Sequence, residues 1–377
     1  KCTHKIHHFN LLMINLIFFL PTFSYGGAGN SIYRLCKNLD KSKYRINIIS
    51  IGKCAYKKEL KFFCENIFEL KTTKTFFSIF KIRKIISRLY FKNPVKTIFV
   101  SGHHYANVAS LIALKSYKHI KIVLVERTDI EELKRYYNLK SFLKNLIIYL
   151  LVVILYKKAD AVVANSKSAK LDLQKICKKK VINISPPSLI KLINKKYKKN
   201  KKKYYTVITV GRLVKEKGID TMIKAFNEIK SKNIIFKVFG DGKEKKNLEK
   251  LIYKLGLEKK VFLLGKIKNP EKFYLNSDLF IHASHFEGFP NAIVEAINYN
   301  LPVICSNCKG GTKEIILNGR GGDLFPIGNH KILANKIITF FKNQKFLKKK
   351  LTLARNNIKK FTLKNNVEKY DRLFSSL

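Results

Sequence analysis

The feature that most constrains the fold is the alternation, along almost the whole chain, of short apolar runs with longer amphipathic stretches. The short runs are typical of buried strands, and stretches such as Asp220–Ile229 and Lys243–Leu255 have the spacing of amphipathic helices. Strands that alternate with helices predict an α/β fold with parallel sheets, helices on both faces and ligand sites at the carboxyl ends of the strands. The predicted strands are Ile14–Leu20, Ile46–Ile51, Thr97–Ser101, Ile120–Glu126, Ala161–Ala164, Thr206–Gly211, Ile234–Gly240, Val261–Gly265, Leu279–Ala283 and Pro302–Ser306.

A basic segment, residues 191–203, interrupts this alternation and divides the chain into two halves. Its like charges without apolar periodicity predict a solvated linker. With 377 residues, the chain is also longer than one typical domain. We predict an N-terminal α/β domain over residues 13–190, a C-terminal one over 204–344 and a small-molecule cleft between them. C-terminal helices are predicted over residues 345–377, and in one arrangement they pack back on the N-terminal domain.

The chain carries a large positive charge, because 76 Lys and Arg against 25 Asp and Glu give a formal net charge of +51. Such a charge is typical of proteins that bind nucleic acid or an anionic membrane. Two explanations stay open, a lysine-rich composition produced by A+T-rich codons and attraction to an anionic surface. No nucleic-acid-binding motif occurs and lysine is spread over every element, so nucleic acid is not a predicted partner.

Three observations concern the compartment of the protein. The 7 Cys show no pairing pattern, which fits a reducing cytoplasm. The strand Ile14–Leu20 follows Met13 directly, so we expect translation to start at Met13, with residues 1–12 as upstream reading or an extension rather than a signal peptide. No run reaches 18 uninterrupted apolar residues, which disfavours a transmembrane helix. We interpret Asn145–Tyr156 as a buried helix that leads into the strand at Ala161, with a position in a membrane interface as the alternative.

The loop after the strand at Thr206 combines Gly211, Arg212, Lys215 and Lys217. A strand-to-helix loop of this composition offers backbone N–H groups together with fixed positive charge, and both favour a phosphate or a diphosphate. Gly and Lys are common in loops, so an ordinary surface loop is the alternative.

Two acidic residues eight positions apart, Glu287 and Glu295, flank a predicted helix start at Pro290 and Asn291. This spacing puts Glu287 on the loop before the helix and Glu295 near the helix N-terminus. Carboxylates that face one cleft can accept charge-assisted hydrogen bonds from sugar hydroxyls. A solvated pair of surface carboxylates is the alternative for such spacing alone.

Five motifs follow one another in the second half: Gly211-Arg-Leu with Glu216-Lys-Gly218, Phe239-Gly-Asp-Gly242, Glu287-Gly-Phe-Pro-Asn291, Glu295-Ala and Gly310-Gly with Glu314-Ile-Ile. Together they resemble the motifs of family 4 glycosyltransferases. The resemblance is dense over residues 206–330 and thinner in the first half, at Gly26-Gly27, Glu126-Arg127 and Val162-Val-Ala-Asn-Ser166. It implies the GT-B fold, two Rossmann-like α/β/α domains that face across a cleft, with the nucleotide sugar bound mainly by the C-terminal domain. Within the family, the chain is most similar to the branch that builds bacterial polysaccharides and lipid-linked glycans.

The resemblance also implies roles for the matching residues. Arg212 and Lys217 match the basic pair that binds the donor diphosphate and neutralises charge on the leaving group. Glu287 matches the carboxylate that faces the donor sugar and supports the transition state, and Glu295 matches the one that holds the ribose hydroxyls. One departure is Thr312, where relatives often carry Pro. The other implied donor-binding residues are Gly26 and Gly27 of the N-terminal glycine loop, Gly211, Phe289, Pro290 and Asn291.

Three histidines are candidates for contacts with the donor sugar or the acceptor. His103 and His104 follow the strand that ends at Ser101, and His285 precedes Glu287. Structural or surface roles are the alternative for His103 and His104.

We expect no metal and no cofactor. Many glycosyltransferases bind a cation through Asp-x-Asp, a motif that this sequence lacks. Arg212 and Lys217 can supply the positive charge instead. The resemblance further implies retention of the anomeric configuration, by front-face attack in which the leaving phosphate takes the acceptor proton.

The predicted function is transfer of a hexosyl residue from a nucleotide sugar, most simply a UDP-sugar, to a growing surface glycan such as lipopolysaccharide or to a lipid-linked oligosaccharide. A basic nucleic-acid-binding protein and a GT-B enzyme of other chemistry, such as an epimerase, are the alternatives. For a lipid-linked acceptor, the enzyme would work as a peripheral cytoplasmic protein at the inner face of the cell membrane, held by anionic lipid. The candidate membrane contacts are Lys57-Lys58, Lys71–Lys92 and Asn145–Tyr156.

Overall fold

The computed structural model describes residues 13–23, 26–72, 75–92, 95–134, 138–193, 204–267 and 270–377. The expected extension over 1–12 and most of the predicted linker over 191–203 lie outside the described residues. The described residues form two compact units. The first contains the chain up to Pro187 together with Leu363–Leu377, and the second contains Ser188–Thr362.

The first unit is built on a seven-stranded sheet in which all neighbouring strands are parallel. Its strands are β1 Ile14–Leu20, β2 Tyr44–Ser50, β3 Asn66–Glu69, β4 Thr97–Gly102, β5 Ile120–Glu126, β6 Ala161–Ala164 and β7 Val181–Asn183. Their order across the sheet is β3-β2-β1-β4-β5-β6-β7, so the order reverses between β1 and β4. The helices are α1 Gly27–Asn38, α2 Lys57–Leu60, α3 Ser78–Lys92, α4 His104–Ala113, α5 Leu139–Leu155 and α6 Lys167–Cys177, with 3-10 turns at Thr75–Phe77, Ile130–Lys134 and Tyr156–Lys158.

Helices cover both faces of this sheet, which explains why its central strands read as continuous apolar runs. In β1, Ile17 and Phe19 face one core, whereas Leu16 and Phe18 face the other, because successive side chains of a strand point to opposite faces. Helices α3, α4, α5 and α6 cover the first core. Helix α1 covers the second core together with the last helix of the chain.

The second unit repeats this plan with a six-stranded parallel sheet. Its strands are β8 Tyr205–Val210, β9 Ile234–Phe239, β10 Val261–Leu263, β11 Leu279–His282, β12 Val303–Ser306 and β13 Asp323–Phe325. Their order is β10-β9-β8-β11-β12-β13, which reverses between β8 and β11. The helices are α7 Ile219–Glu228, α8 Lys245–Lys254, α9 Glu271–Leu275, α10 Asn291–Asn298, α11 Thr312–Ile315, α12 His330–Lys342 and α13 Gln344–Ile358, with 3-10 turns at Lys215–Lys217, Leu317–Gly319 and Lys359–Phe361.

The two C-terminal helices divide between the units. Helix α13 packs on the second unit, where Leu351 and Ile358 join the core. The last helix, α14 Leu363–Ser376, packs on the first unit, where Tyr370 and Phe374 join the core on the α1 side of the sheet. Residues 345–377 therefore do not form one C-terminal element.

Helix α5 corrects one expectation from the sequence. It leads into β6 as predicted, but the prediction that it is buried is wrong, because Val152 is the one buried residue of Leu139–Leu155. Ile147 is 57% exposed and Leu150 is 50% exposed. Among the described residues, Leu139–Lys158 is the one helical segment that is long and apolar enough to cross a membrane by length and composition, and 11% of its most apolar 18 residues are buried. An apolar run in the sequence predicts an apolar helix, but it does not show whether the protein itself covers that helix.

Candidate functional site

The second sheet reverses its strand order between β8 and β11, and in open α/β sheets ligands bind outside the carboxyl ends of the strands at such a point. The loop after β8 runs from Gly211 to α7, and the loop after β11 runs from Ala283 to α10. The two loops are joined directly, because the His285 N–H donates to the Glu216 carbonyl oxygen at 2.9 Å. These loops carry most of the residues that the sequence predicts for the site.

The Glu287 carboxylate connects the two loops through their side chains. Its Oε1 atom accepts a hydrogen bond from the Lys217 ammonium. The Ser284 hydroxyl donates to the same oxygen at 2.7 Å, and His282 Nε2 lies 3.0 Å from it. The side chain of Glu287 is 10% exposed and that of Lys217 is 23% exposed, so the ion pair is largely removed from water. The sequence predicts both members of this pair but not their contact.

The surroundings of Glu287 keep it ionised. Burial alone would raise the pKa of Glu287, but the charge of Lys217 and the hydrogen bond from His282 outweigh burial and hold the pKa well below its usual value. Glu287 is therefore a carboxylate at neutral pH. An ionised carboxylate only accepts hydrogen bonds, so Glu287 can bind hydroxyl groups or stabilise positive charge but cannot act as a general acid.

Arg212 is the second basic residue that the sequence predicts for the loop after β8. It follows Gly211 and its side chain is exposed. Within the described part of the chain, its guanidinium forms no hydrogen bond or ion pair. A guanidinium in the same loop as the Lys217 ammonium is suited to bind phosphate oxygens.

Two glycines allow the backbone around Glu287 to approach closely. Gly218 has φ +60°, and a Cβ atom there would lie 2.3 Å from the Ala283 carbonyl oxygen. Gly310 has φ +104°, and a Cβ atom there would lie 1.6 Å from the Glu287 carbonyl oxygen. Both positions combine a left-handed backbone with a contact that no side chain permits, so a larger residue would displace the loops.

Glu295 lies in α10, and its carboxylate is partly exposed. The Tyr274 hydroxyl donates to Glu295 Oε2 at 3.2 Å. Tyr274 is fully buried and stacks on Tyr299 with the ring centroids 5.3 Å apart. Burial and the Glu295 carboxylate raise the pKa of Tyr274 well above its usual value, so its hydroxyl stays protonated and donates the hydrogen bond to Glu295. The buried Tyr274 hydroxyl thus orients the Glu295 carboxylate.

The residues between the two glutamates pack inside the second unit. Phe289 and Pro290 are buried, and the Phe289 ring contacts the Phe361 ring edge-on at a centroid distance of 4.9 Å. Asn291 begins α10, and its Oδ1 atom accepts from the Ser188 hydroxyl at 2.7 Å. The side chains of Phe289 and Asn291 therefore hold the loop in place, which leaves backbone groups for a ligand.

The sequence analysis assigns no site role to three residues that hold this site: Tyr274, His282 and Ser284. His282 ends β11 and Ser284 is two positions further. Their place at the carboxyl end of a predicted strand was the signal that could have identified them as site residues. Tyr274 lies in the short helix α9, and no motif distinguishes it from other buried aromatic residues.

The first sheet has the same reversal, between β1 and β4. Gly26 precedes α1 and Gly27 begins it, and no side chain of a described residue caps this helix N-terminus. A Cβ atom on Gly26 would meet nothing within 4 Å, so this position has open space beside it. Uncapped backbone N–H groups at a helix start can bind an anion.

His103 and His104 follow β4 at the same edge of the first sheet. His104 is fully buried, with its Nδ1 atom 2.8 Å from Glu126 Oε2 and its Nε2 atom 3.0 Å from the Thr128 hydroxyl. Burial opposes the charge on His104, but the Glu126 and Glu132 carboxylates outweigh burial and raise the pKa of His104. His104 is thus a buried cation inside the unit, whereas His103, with φ +89°, is partly exposed.

One group of described residues brings metal-ligating atoms together. His103, His104 and Glu132 offer ligand atoms within 4.8 Å of one another. Both ring nitrogens of His104 already face protein partners, Nδ1 the Glu126 carboxylate and Nε2 the Thr128 hydroxyl. The group fits a network of ion pairs and hydrogen bonds better than a metal centre.

Two family profiles match the chain, one in each half. The profile described as Glycosyl transferases group 1 matches residues 191–360, and the profile described as Glycosyltransferase Family 4 matches residues 25–187.

Several curated glycosyltransferases are similar to the chain in sequence. An uncharacterized glycosyltransferase of Methanocaldococcus jannaschii is 33% identical over 257 residues, which cover 63% of this chain and 61% of the relative. The N-acetylgalactosamine-N,N'-diacetylbacillosaminyl-diphospho-undecaprenol 4-alpha-N-acetylgalactosaminyltransferase of Campylobacter jejuni is 30% identical over 234 residues, 59% of this chain and 62% of the relative. The alignments thus span about three-fifths of the length of these two relatives. A second enzyme of Campylobacter jejuni, the GalNAc-alpha-(1->4)-GalNAc-alpha-(1->3)-diNAcBac-PP-undecaprenol alpha-1,4-N-acetyl-D-galactosaminyltransferase, is 23% identical over 97% of this chain and 99% of the relative.

Solved structures show the fold. The structure of Anabaena HepE in complex with UDP has a TM-score of 0.79 at 20% identity and covers 97% of this chain and 100% of that chain. The structure of the lipopolysaccharide outer core galactosyltransferase WaaB has a TM-score of 0.73 at 18% identity and covers 97% of this chain and 100% of that chain. The two α/β units are therefore those of the GT-B fold, which confirms the predicted fold class.

Proposed function

The chain belongs to the family 4 glycosyltransferases of group 1, and from this premise we propose that it transfers a hexosyl residue from a nucleotide sugar to a glycan acceptor. The observation that carries the proposal is the Lys217–Glu287 contact at the strand-order reversal between β8 and β11. The contact puts a cation for a diphosphate and an acceptor for sugar hydroxyls at one point of the second unit. A nucleotide sugar needs both groups.

The donor is proposed to be UDP-linked, with its diphosphate bound by Arg212 and Lys217 and its ribose hydroxyls by Glu295. The exposed Arg212 guanidinium and the backbone of Gly211 support the diphosphate assignment. Glu295 is oriented by Tyr274, and a carboxylate has several acceptor sites, so it can accept further bonds from hydroxyl groups. The solved structures with bound UDP belong to proteins with the same fold and support the choice of nucleotide.

The proposed reaction retains the anomeric configuration and needs no metal. The bond between the anomeric carbon and the diphosphate oxygen breaks, and the acceptor oxygen bonds to that carbon on the same face. The proton of the acceptor hydroxyl passes to the leaving phosphate oxygen. Arg212 and Lys217 stabilise the negative charge that develops on the diphosphate, as a divalent cation does in other enzymes. Ionised Glu287 faces the sugar, where it can bind a hydroxyl and stabilise positive charge at the reacting carbon.

The acceptor is proposed to be a growing surface glycan or a lipid-linked oligosaccharide. Two relatives from Campylobacter jejuni are named for undecaprenol-linked substrates, and one of them aligns with nearly the whole chain. A lipid-linked acceptor would place the enzyme at the cytoplasmic face of the membrane. His103 and His285 are the candidate contacts to the sugar or acceptor.

Titration calorimetry with UDP tests the donor site. Glu295→Gln keeps the shape of the side chain but removes its charge, so UDP affinity should fall by about 1.5–3 kcal/mol. Glu249→Gln on the exposed side of α8 makes the same change in net charge and should leave the affinity at the wild-type value. Equal UDP affinity in wild type and Glu295→Gln would contradict the assignment, and thermal stabilisation by a single-stranded oligonucleotide but not by UDP would favour a nucleic-acid-binding protein.

A further inference from the structure

Helix α5 carries a continuous apolar stripe on its outer side. The stripe consists of large apolar side chains with exposed fractions of 41% to 73%: Leu139, Leu143, Leu146, Ile147, Leu150 and Ile154. They recur at spacings of three and four positions, so they lie along one face of the helix. On the opposite side, Val152 and the following Tyr156 are fully buried. Contiguous exposed apolar surface of this kind marks an interaction site.

A second group of exposed apolar side chains lies in the same layer of helices. Phe76 is 65% exposed and Phe77 51%, both in the 3-10 turn before α3, and Phe80 in the first turn of α3 is 70% exposed. Helix α3 packs on α4, and α4 packs on α5, where the Tyr105 hydroxyl donates to Asn145 Oδ1 at 2.8 Å. Helices that cover one face of a sheet present their outer sides in the same direction. We refer to the exposed side of residues 75–89 and 139–158 as the α3/α5 face.

The α3/α5 face is cationic as well as apolar. Neither α3 nor α5 contains an Asp or a Glu. Exposed basic side chains border the apolar groups: Lys81, Arg83, Lys84, Arg88, Lys140, Lys144, Lys157 and Lys158. An apolar centre with a basic rim is complementary to an anionic bilayer, where acyl chains lie beneath phosphate groups.

Two other roles for this face fit the structure less well. Helix α5 cannot cross a bilayer while the sheet is intact, because β5 and β6 on either side of it pair with each other and Tyr156 bonds to buried Glu126. A second copy of the chain would place one cationic face against another, and neither α3 nor α5 has an acidic side chain to neutralise the charge.

We propose that the α3/α5 face docks the protein on the surface of an anionic phospholipid bilayer. The apolar stripe lies among the headgroups and upper acyl chains, with α5 parallel to the membrane plane, and the lysines contact lipid phosphates. This inference goes beyond the proposed reaction, since it concerns a surface of the first unit and holds for any donor or acceptor.

Sedimentation of the full chain with vesicles tests the proposal. Vesicles of phosphatidylcholine with phosphatidylglycerol are compared with vesicles of phosphatidylcholine alone at low salt. We expect strong binding to the anionic vesicles, and a fall of about tenfold or more in the partition coefficient between about 0.01 M and 1 M salt, because the Debye length shortens from about 30 Å to about 3 Å. Equal partitioning into both kinds of vesicle, or none into the anionic ones, would overturn the proposal.

Two matched triple variants separate the α3/α5 face from the overall charge. Each removes three positive charges, one set from this face and one from exposed lysines of α8 in the second unit: K140Q/K157Q/K158Q and K246Q/K250Q/K254Q. The first should lose about fivefold in partitioning for each charge, the change that corresponds to about 1 kcal/mol, and the second should stay near wild type. Equal losses in the two variants would overturn the proposal, because net charge alone would then explain binding.

A pair of leucine variants tests the apolar stripe. Leu150 on α5 and Leu353 on α13 are both 50% exposed, so replacing either by serine should lower the melting temperature by a similar, small amount. Leu150→Ser should lower partitioning by about tenfold, and Leu353→Ser should not change it. Wild-type partitioning in Leu150→Ser would overturn the proposal. Sedimentation equilibrium gives a second possible contradiction. If the wild type is a dimer, Leu150→Ser is a monomer and neither protein binds vesicles, then a second copy of the chain occupies the face and the proposal is overturned.

Discussion

Glu287→Gln shows how much the Lys217–Glu287 pair stabilises the second unit. The substitution keeps an acceptor for Ser284 and His282 but leaves the Lys217 ammonium without a charged partner. Removing one member of a fully buried ion pair costs about 3–5 kcal/mol. Because the Lys217 side chain is 23% exposed and can turn toward water, we expect a smaller loss of about 2–3 kcal/mol in the free energy of unfolding.

A double-mutant cycle isolates the contribution of the pair. Lys217→Met should destabilise the protein by about 2 kcal/mol, and the double variant should lose less than the sum of the two single changes, with a coupling free energy of about 1.5–3 kcal/mol. The assay is urea-induced unfolding of the full chain at neutral pH, followed by circular dichroism. Glu249→Gln on α8, whose side chain is 52% exposed, is the matched control and should change stability by less than about 0.5 kcal/mol.

The pH dependence provides a second measurement on the same variants. Because folding depresses the pKa of Glu287, its stabilisation is present above the pKa of the unfolded chain, about 4.3, and is lost as the pH falls through the folded-state value. The difference in stability between wild type and Glu287→Gln should therefore be largest at neutral pH and should narrow in acid. Two results would refute the reasoning. One is a double variant whose loss of stability equals the sum of the two single losses within about 0.5 kcal/mol, and the other is a stability difference between wild type and Glu287→Gln that stays constant into acid.

Three further outcomes are expected. Arg212→Ala should lower kcat by about a hundredfold and change KM less, because charge on the leaving diphosphate grows in the transition state, and steady-state kinetics with varied donor will show whether KM changes instead. Transfer should survive chelation by EDTA, whereas activity that is lost on chelation and returns with Mg²⁺ or Mn²⁺ would contradict a metal-independent reaction. Gly310→Ala should lower the free energy of unfolding by about 2 kcal/mol or more, since its φ is +104° and the new Cβ would lie 1.6 Å from the Glu287 carbonyl oxygen, and an unchanged urea midpoint would contradict this.

The strands were predictable where they are central and apolar. Ile14–Leu20 has the predicted bounds because every residue in it is buried, so the apolar run and the strand coincide. The sequence prediction omits the edge strands β3, β7 and β13. Each has three or four residues, and most of them are only partly buried, so no apolar run distinguishes these strands from the surrounding loops.

The candidate site can be predicted from the sequence as a set of motifs, but the contacts between its residues cannot. Lys217 and Glu287 are 70 positions apart, and they meet because β8 and β11 are neighbours in the sheet, which is a property of topology rather than of local sequence. The support of Glu295 by Tyr274 is likewise a contact between separate elements. The prediction that α5 is buried was wrong for a different reason. Apolar residues occupy every side of its second half, so their spacing cannot show which side the sheet covers.

The position of α14 determines the order in which the protein can be completed during its synthesis. The ribosome delivers the strands of the first sheet long before it delivers α14. In the finished fold, the Phe374 ring packs on Phe18 and Tyr44 at centroid distances of 6.4 and 6.0 Å, and the Tyr44 hydroxyl donates to the Asp371 carboxylate at 2.7 Å. One core of the first unit therefore stays open while the whole second unit is translated. The second unit is contiguous in the chain and can close its cores earlier, so the half that emerges first from the ribosome is the half that is finished last.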